Sequence, residues 1–413
     1  MRILQPARGT SDLLPGDKAR HNKVVATAQT ISARCGFQDM ATPIFEFTDV
    51  FRRPLGDTSD VVSKETYSFE DRGGTELTLR PENTASVMRA VISNGLTQTL
   101  PQKYFYAGPM FRYERPQKGR MRQFHQIGVE LIGPASPLAD AEVITCGADI
   151  LDELGVLSKC TLHLNSLGDS ESRQAYRAAL ISYLTQYQDA LSEDSKRRLS
   201  QNPLRILDSK DETDREIIAD APVLSDYLNE ASRAHYDVLT NALTKAGIPF
   251  VADPRLVRGL DYYCHTAFEF ITDALGAQGT VLGGGRYDGL AEMLGGPALP
   301  AVGFAAGIER LSLLIDEPAA ESADLMVISL DKELDADAFA VASQLRRAGY
   351  RVDVPFSGNL GKKLKRADKI GAPRVILLGT DEWHNNQLQV KSLATSDTTL
   401  VARDDLLSFL ASF

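Results

Sequence analysis

Residues 104–133, YFYAGPMFRYERPQKGRMRQFHQIGVELIG, have the pattern of a long β-hairpin around which the rest of the chain can be organised. Aromatic residues such as Tyr104 and Tyr106 begin the first strand, and apolar residues alternate with polar residues or glycine in the second. The turn between them, RYERPQKGRMR, holds five Lys or Arg among eleven residues. A solvated loop can have this composition, and so can an anion-binding surface. The second interpretation is favoured because Arg112 and Glu130 lie where a purely structural hairpin has core or neutral residues.

Length and composition indicate a globular protein of roughly two or three domains. The chain has 413 residues, of which 43% are hydrophobic, and no apolar run approaches the ~20 residues that span a bilayer. The N-terminal residues lack the apolar core of a signal peptide, so we expect a cytoplasmic protein. The four cysteines are scattered, which favours reduced thiols over a zinc site. A net charge of −10 argues against a protein coated in nucleic acid but allows a local basic groove.

Hydrophobic periodicity divides the chain into three regions. Residues 1–168 and 248–318 mix strand and helix patterns and are predicted to form one domain. Residues 169–247 are charged and helix-like, which predicts a helical insertion into that domain. After a linker rich in Pro, Ala and acidic residues, residues 325–413 alternate strands with helices, as a small α/β domain does. The helix GKKLKRADK in this last region is basic, which fits either a solvated face or a contact with a phosphate backbone.

Two features of the first region bear on a binding site. ATPIFEFTDVF (residues 41–51) has the pattern of a strand interrupted by Pro43, which cannot donate to a ladder and so belongs at a strand start, an edge or an interface. A hairpin follows over residues 66–79. It ends close to Glu82, just before a helix that starts near Thr84. This carboxylate can complement the helix dipole, or it can hold an ammonium group.

Several polar residues at strand ends, loops and helix starts are compatible with one chemistry. No Ser-His-Asp order, Cys-His pair, GxxxxGK[ST] loop or GxGxxG after a strand is found, and His125 is expected to be structural. Arg310 is predicted in the first turn of a helix, where a cation opposes the dipole and a nearby anion would explain it. An arginine-rich site with a few carboxylates suits phosphoryl or nucleotidyl transfer, in which positioning and charge neutralisation carry most of the catalysis. The candidate residues are Glu82, Arg112, Glu114, Arg120, Gln126, Glu130, Arg258 and Arg310.

The same segments resemble the class II aminoacyl-tRNA synthetases and, among these, the bacterial histidyl-tRNA synthetase family, over essentially the whole chain. Residues 36–51 around Pro43 are similar to class II motif 1, FRYERPQKGRMRQFHQIGVE to motif 2 and GFAAGIERL to motif 3. LVRGLDYY and GGGRYDGL are similar to the two signature peptides of the histidine enzymes. The resemblance implies an α+β fold in which an antiparallel class II sheet is flanked by helices. It also implies a homodimer built on motif 1, a catalytic domain of residues 1–168 and 248–318, and an anticodon-binding domain of residues 325–413.

For ATP, the resemblance implies that arginines hold the phosphates. Arg112 and Arg310 would grip the α- and γ-phosphates of a bent ATP. Arg258 would contact both the α-phosphate and the histidine carboxylate, where other class II enzymes rely on a metal ion. These three are the implied catalytic residues. Mg²⁺ is expected to enter with ATP, and no protein-bound metal or organic cofactor is implied. The implied ATP-binding residues are Arg112, Glu114, Arg120, Phe124 and Arg310.

For histidine, the resemblance implies a pocket of carboxylates and phenols. Glu82 and Thr84 would hold the α-amino group. Glu130 and Tyr263 would recognise the imidazole, whose ring has one N–H donor and one nitrogen acceptor. The family often has Gly where this chain has Asn83, a departure that we expect to be tolerated because the backbone is used there. The implied histidine-binding residues are Glu82, Asn83, Thr84, Arg112, Gln126, Glu130, Arg258, Tyr262 and Tyr263.

The implied reaction has two steps. The histidine carboxylate, already ionised at neutral pH, attacks the α-phosphorus of ATP, so that pyrophosphate leaves and histidyl-adenylate forms. The terminal ribose hydroxyl of the tRNA then takes the acyl group. Arg115 and Gln117 in the hairpin turn would lie against the tRNA acceptor end, and the C-terminal domain would bind the anticodon.

Three alternatives compete with this interpretation. The regulatory subunit of ATP phosphoribosyltransferase shares the synthetase core and binds histidine as a signal. It typically lacks the C-terminal domain and loses signature arginines, whereas Arg112, Arg258 and Arg310 are all present here. A synthetase for threonine or proline would share the class II motifs but not LVRGLDYY with GGGRYDGL. A nucleotide-binding protein of another purpose is disfavoured by the full set of motifs.

Overall fold

The fold is seen in a computed structural model, which describes residues 3–55, 65–116, 119–201, 203–209, 211–257, 262–318 and 322–412. The chain forms two compact units, Met1–Pro318 and Ala319–Phe413. Both mix sheets with helices, and the predicted α+β class is confirmed. Among the described residues, no helix combines the length and the apolar character that crossing a membrane requires.

The first unit is built on an eight-stranded sheet with the strand order β1-β5-β6-β11-β10-β9-β7-β8. All neighbours are antiparallel except the pairs at the two edges, β1 with β5 and β7 with β8. The predicted hairpin of residues 104–133 forms its β5 and β6. The eight strands are β1 (Gln38–Asp39), β5 (Gln102–Phe111), β6 (Gln123–Ile132), β7 (Thr161–Ser166), β8 (Val251–Ala252), β9 (Cys264–Ile271), β10 (Thr280–Arg286) and β11 (Ala301–Gly307).

A second, three-stranded sheet has the order β2-β4-β3 and consists of β2 (Phe45–Phe47), β3 (Tyr67–Glu70) and β4 (Glu76–Leu79). The strand predicted over residues 41–51 is shorter than expected, because a helix begins at Asp49. Thr48 ends the strand: its hydroxyl is hydrogen-bonded to Thr78 on β4 at 2.9 Å, and its carbonyl accepts from Arg52 at 3.0 Å in the first turn of the helix.

Helices cover the large sheet on both faces. The N-terminal helix and the helix of residues 137–153 belong to one large buried cluster, with Ile31, Ile144 and Phe268 among its members. Pro137 is the first residue of its helix, and the Ser136 hydroxyl accepts the Leu138 amide at 3.3 Å, as an N-cap does. The α-helices of this unit are α1 (Pro15–Arg34), α2 (Asp49–Leu55), α3 (Thr84–Ser93), α4 (Pro137–Glu153), α5 (Ser170–Thr185), α6 (Glu193–Gln201), α7 (Glu212–Ala219), α8 (Glu230–Lys245), α9 (Leu290–Met293) and α10 (Ile308–Ser312). Short 3₁₀ turns cover Leu96–Gln98, Leu157–Lys159, Pro203–Asp208, Leu224–Tyr227 and Asp273–Gln278.

The region predicted as a helical insertion contains α5 to α8. Its loops are tied together at Asp214, whose side chain is fully buried. The Asp214 carboxylate accepts hydrogen bonds from the hydroxyls of Ser192, Ser195 and Ser209 at 2.5–2.7 Å. These hydrogen bonds help to hold the pKa of Asp214 below its usual value, although burial acts in the opposite direction.

The second unit is a five-stranded sheet of order β13-β12-β14-β15-β16 with helices on both faces. Strand β12 is entirely buried and parallel to its neighbours β13 and β14, as a near-continuous apolar run predicts. The strands are β12 (Leu325–Ser329), β13 (Val352–Asp353), β14 (Arg374–Leu378), β15 (Gln387–Ser392) and β16 (Thr398–Ala402). The α-helices are α11 (Asp335–Arg347), α12 (Leu360–Lys369), α13 (Thr380–His384) and α14 (Leu406–Leu410), and 3₁₀ turns cover Lys332–Leu334 and Arg403–Asp405.

Candidate active site

A cavity of about 290 Å³ lies against the middle strands of the large sheet. Its walls come from β5, β6, β10 and β11, from the start of α3 and from the first turn of α10. Most residues predicted from the sequence to bind substrates meet here although they are far apart in the chain. Those that line it are Glu82, Thr84, Arg112, Glu114, Arg120, Phe124, Gln126, Tyr262, Tyr263 and Arg310.

The register of the sheet explains why β6 can present polar side chains in its centre. Glu130 is opposite Gly303 of β11, and Gln126 is opposite Gly108 of β5 on one side and Gly307 of β11 on the other. Glycine has no side chain, so these partners leave room for the polar groups of β6. A side chain at Gly303 would overlap the Glu130 carboxylate. These glycines therefore provide the space that the polar side chains of β6 need.

Arginines form a cationic end of the cavity. The Arg310 guanidinium donates to the carbonyl oxygens of Gly119 at 3.1 Å and Thr280 at 2.7 Å. Arg112 donates to the Pro81 carbonyl at 2.9 Å, and its guanidinium lies 5.3 Å from the Phe124 ring. Burial lowers the pKa of Arg310, and the nearby charges of Arg120 and Arg112 lower it further. Three cations that repel one another are stabilised when an anion binds between them.

Glu114 lies beside this cationic end and is buried. Its carboxylate forms an ion pair with the Arg120 side chain across the base of the hairpin turn. Its backbone carbonyl also accepts from Arg122 at 3.2 Å, and the Arg122 guanidinium stacks 3.8 Å from the Tyr113 ring. Glu114, the single acidic residue of the basic turn, thus helps to fix the conformation of the turn that was predicted as an anion-binding surface.

Carboxylates form the other end of the cavity. Glu82 is buried, and it accepts the backbone amides of Thr84 at 2.6 Å and Ala85 at 3.0 Å at the N-terminus of α3. Burial raises the pKa of Glu82, against the effect of these amides and of Arg112. The side chain of Asn83 contributes to the fold: its Oδ1 accepts from Thr42 Oγ1 at 2.7 Å and from Arg80 Nη1 at 3.0 Å. Asn83 is not among the residues that line the cavity.

Glu130 does not itself line the cavity but lies behind this end, against Thr84, which does. It accepts the Thr84 hydroxyl at 2.7 Å and the Tyr287 hydroxyl, and burial raises its pKa to about 8. The Tyr262 and Tyr263 rings lie 4.8 Å apart, and both also lie within 6.2 Å of the Tyr287 ring. Carboxyl and phenol groups thus lie close together here, which suits a ligand that has both donors and acceptors.

Tyr287 and Tyr106 were not among the predicted site residues. Tyr287 lies within the GGGRYDGL stretch, so the motif contained the signal although the side chain was not singled out. Tyr106 lines the cavity and crosses over Gly128 of the neighbouring strand. Its place in an alternating aromatic strand would have indicated an inward-facing side chain.

Arg286, in the second signature stretch, is the centre of a buried network of polar groups. Arg286 and Asp140 are both fully buried, and their side chains meet at 2.5–3.1 Å between β10 and α4. Arg286 also reaches Asp288 at 3.1 Å and the carbonyls of Pro134 and Ser136 at 3.1 and 3.2 Å. This network fixes the end of β10 next to Tyr287.

The remaining predicted site residues lie elsewhere. Arg258 and Gln117 lie outside the described residues. Arg115 is described and exposed in the hairpin turn, and it does not line the cavity. His125 contacts Glu309 with its ring at 2.8 Å and its backbone amide at 2.9 Å, and these contacts join β6 to α10. In the part of the chain that the structure describes, no group of three or more His, Cys, Asp or Glu side chains is placed to hold a metal ion.

Comparisons with known proteins agree along the whole chain. The family model described as Histidyl-tRNA synthetase matches residues 9–311, and the one described as Anticodon binding domain matches residues 324–413. The Histidine--tRNA ligase of Rhodospirillum rubrum is 56% identical, and the alignment covers 100% of both chains. That of Gluconacetobacter diazotrophicus is 55% identical over 100% of this chain and 99% of its own. The crystal structure of an apo histidyl-tRNA synthetase from S. aureus superposes with a TM-score of 0.84 at 35% identity, covering 99% of this chain and 100% of that one.

Proposed function

Because the chain belongs to the histidyl-tRNA synthetase family and ligates histidine to tRNA, we propose that it does so in the cavity of the large sheet. The observation that carries the proposal is the division of this cavity into a cationic end and an end of carboxylates and phenols. ATP needs the first and histidine the second. The polar residues come from four separate chain segments, and their meeting in one cavity supports a shared site.

ATP binds at the cationic end. Arg112 and Arg310 take the α- and γ-phosphates, because guanidinium groups grip phosphate oxygens in pairs. Arg120 contacts the phosphates from the hairpin turn, while Glu114 and Phe124 bound the adenine side. The depressed pKa of Arg310 supports this assignment, since phosphate would relieve the repulsion among the three arginines. Mg²⁺ enters as part of the substrate, bound to the phosphates of ATP.

Histidine binds at the opposite end. Its ammonium group meets Glu82 and the Thr84 hydroxyl at the start of α3, with Gln126 beside them. Its imidazole meets Glu130 and Tyr263, with Tyr262 packed next to them. A carboxyl and a phenol can satisfy both ring nitrogens, and such a buried polar match rejects analogues that lack the group by ~10⁴-fold or more.

The first chemical step needs no general base. The histidine carboxylate is ionised, attacks the α-phosphorus and displaces pyrophosphate, while the arginines stabilise the charge that develops on the phosphate oxygens. Arg258, outside the described residues, is assigned to the α-phosphate and the histidine carboxylate because it lies in the LVRGLDYY signature. The tRNA ribose hydroxyl then attacks the acyl carbon, with Arg115 and Gln117 against the acceptor end.

The protein acts as a homodimer through its three-stranded sheet. Phe45, Phe47 and Phe69 are 52%, 63% and 44% exposed, and the register puts them on one face with Leu77 and Leu79. The opposite face carries Glu46, Thr78 and Ser68, of which Glu46 and Thr78 are buried. A sheet with apolar residues facing water and polar residues facing inward is reversed from the usual pattern, which supports a partner chain on the outer face. We assign the protein to the cytoplasm, where tRNA is charged and used.

Pyrophosphate exchange into ATP tests the reaction directly. The purified protein should catalyse exchange with histidine and not with threonine or proline. Exchange driven by either of the other amino acids would contradict the specificity. Arg258→Ala should abolish the exchange while the unfolding transition stays unchanged, and normal exchange by that variant would remove the assignment of Arg258.

A further inference from the structure

Two cysteine thiols meet between helices α1 and α4. Cys35 is the residue that directly follows α1, and Cys146 lies within α4. Their thiol groups are hydrogen-bonding partners, and both are free in the structure. Neither cysteine lines the main cavity. The pair is therefore a cluster of two nucleophilic groups that the ligation of histidine to tRNA does not use.

The packing of α1 on α4 supports this contact independently. The Ser32 hydroxyl of α1 lies 3.9 Å from the Cys146 sulfur. Cys35 comes three residues after Ser32, and its backbone amide still donates to the Ile31 carbonyl at 3.2 Å, as in a helical turn. Residues that are three positions apart on a helix share one face, so Cys35 lies on the face of α1 that meets Cys146. Cys146 belongs to the large buried cluster of this unit, and Cys35 packs against that cluster.

The two thiols differ in their access to solvent. Cys146 is fully buried, whereas Cys35 is partly exposed at the end of its helix. A small oxidant can therefore reach Cys35 from solvent, while Cys146 meets only the oxidised form of its neighbour. An accessible thiol beside a second thiol that can resolve its oxidation product is the arrangement found in redox-sensitive sites.

The surroundings of Cys35 favour its thiolate, which is the nucleophilic form of a cysteine. The hydrogen bond from the Cys146 thiol lowers the pKa of Cys35. The Lys103 ammonium, which also donates to the Cys35 carbonyl at 3.1 Å, acts in the same direction. Burial and the carboxylates of Asp149 and Glu142 oppose this effect without cancelling it. The more accessible thiol of the pair is thus also the more reactive one.

We propose that Cys35 and Cys146 are a modification site, at which hydrogen peroxide converts the two thiols into a reversible disulfide. The Cys35 thiolate attacks one peroxide oxygen, the O–O bond breaks, and the hydroxide that leaves takes up a proton to form water. The Cys146 sulfur then attacks the sulfur of the Cys35 sulfenic acid. The S–O bond breaks, and the hydroxyl group leaves with the proton of Cys146 as water. The peroxide gains the two electrons that the two sulfur atoms lose, and a dithiol reductant restores both thiols by exchange.

The disulfide has two consequences for the molecule, and neither depends on the proposed function. It joins the end of α1 to α4, and a link between segments so far apart in the chain stabilises a fold against unfolding. It also ends the oxidation of Cys35 at a reversible stage, because the sulfenic acid is consumed before it can become an irreversible sulfinic acid.

Peptide mapping by mass spectrometry, after the 413-residue chain has been treated with hydrogen peroxide, tests the proposal. The peptides that contain Cys35 and Cys146 should be found joined, with the loss of the mass of two hydrogen atoms. Dithiothreitol should separate them, and the oxidised protein should unfold at a higher urea concentration than the reduced protein. Two free thiols after the treatment, or a sulfinic acid at Cys35 without a crosslink, would overturn the inference.

Variants separate the roles of the two thiols. In Cys146→Ala and in Cys146→Ser, which fills the same space, peroxide should carry Cys35 on to the sulfinic acid, because no resolving thiol remains. Cys35→Ser, at a partly exposed position, should leave Cys146 reduced. Oxidation of Cys146 in that variant as fast as in the original protein would contradict the assigned order of events.

Cys160 provides the matched control. It is also partly exposed, but burial raises its pKa to about 11. Iodoacetamide should therefore alkylate Cys35 roughly tenfold faster than Cys160 in the reduced protein at neutral pH. Cys160→Ser should form the crosslink between Cys35 and Cys146 as the original protein does. A crosslink that uses Cys160, or that disappears in this variant, would exclude the proposed pair.

Discussion

Arg310 lines the cationic part of the main cavity and Glu130 lies behind the part with carboxyl and phenol groups, and the surroundings of each disfavour its ordinary charge in the empty protein. Arg310 is disfavoured as a cation by burial and by Arg120 and Arg112, and Glu130 as an anion by burial and by Glu82. Both would gain from a bound ligand of the opposite charge. This makes each of them suitable for a single substitution that separates binding from folding.

Replacing Arg310 with Ala should lower kcat/KM for pyrophosphate exchange by about 100-fold or more, the usual cost of losing one donor to a developing negative charge. The free energy of unfolding should not fall in proportion to this loss of activity, since the charge of Arg310 is unfavourable before ATP binds. Arg53→Ala is the control, because Arg53 is 55% exposed and forms an ion pair with Asp49 on the surface. Exchange by the Arg310 variant at the original rate would exclude a phosphate contact.

Replacing Glu130 with Gln should change how stability depends on pH. The folded pKa of about 8 lies above the ~4.3 of an unfolded Glu, so the folded protein binds this proton more tightly. The stabilising contribution is therefore complete below the unfolded pKa and is lost as the pH rises through the folded pKa, at up to about 1.4 kcal/mol per pH unit. Gln keeps the shape of the neutral carboxyl group but does not titrate. The free energy of unfolding in urea should therefore rise for the variant, relative to the original protein, from about pH 5 to 8. A difference that is independent of pH would contradict the burial of an ionisable Glu130.

Replacing Tyr287 with Phe should raise KM for histidine about tenfold, because one hydrogen bond that orients the Glu130 carboxylate is lost. KM for ATP should stay the same, since the contact lies at the histidine end. Tyr187→Phe, on an exposed ring just after α5, controls for the loss of a phenol. Equal changes in both KM values would indicate a general disturbance of the sheet instead of a positioning role.

At the scale of elements, the motifs identified the right strands and helices but not the contacts between them. The stretch LGGGR forms the second half of β10, a central strand whose glycines face β9 and β11, and the strand ends in a buried arginine. The partner of that arginine, Asp140, lies 146 residues away on α4. Local patterns do not contain such a pairing, because it depends on how a helix packs on a sheet.

Replacing Asp140 with Ala should destabilise the protein by about 3 kcal/mol, the lower end of the usual cost of breaking a buried pair, because Arg286 loses its buried partner and keeps only the half-buried Asp288 and backbone carbonyls. The measurement is urea unfolding of the Met1–Phe413 chain. Glu193→Ala removes an exposed partner of Lys196 and should change the free energy of unfolding by no more than about 1 kcal/mol. If both substitutions had the same small effect, the Arg286–Asp140 pair would not brace β10.

At the scale of the whole molecule, the three-stranded sheet exposes an apolar face, which a sheet that faces only water does not usually do. Replacing Phe47 with Asp should place a charge in the proposed dimer interface and weaken the dimer by at least about 100-fold, because an unpaired buried charge costs several kcal/mol. Sedimentation equilibrium measures the effect. Leu400→Asp, an equally exposed position in the second unit, should leave the dimer intact. A Phe47 variant that dimerises as the original protein does would exclude this face.

The sequence by itself indicated the elements, the separation of residues 325–413 from the rest of the chain and, through the resemblance to the synthetases, most of the side chains that line the main cavity. The elements follow from local periodicity, and the resemblance rests on motifs such as RYERPQKGRMR and GGGRYDGL, which are read within a few residues. Only the tertiary structure decided that Tyr287 holds Glu130 across 157 residues, that the side chain of Asn83 points to Arg80, and that the thiols of Cys35 and Cys146 meet between two helices. The physical reason is that burial, hydrogen-bond partners and pKa depend on which distant segments pack together, and no local pattern of residues specifies that packing.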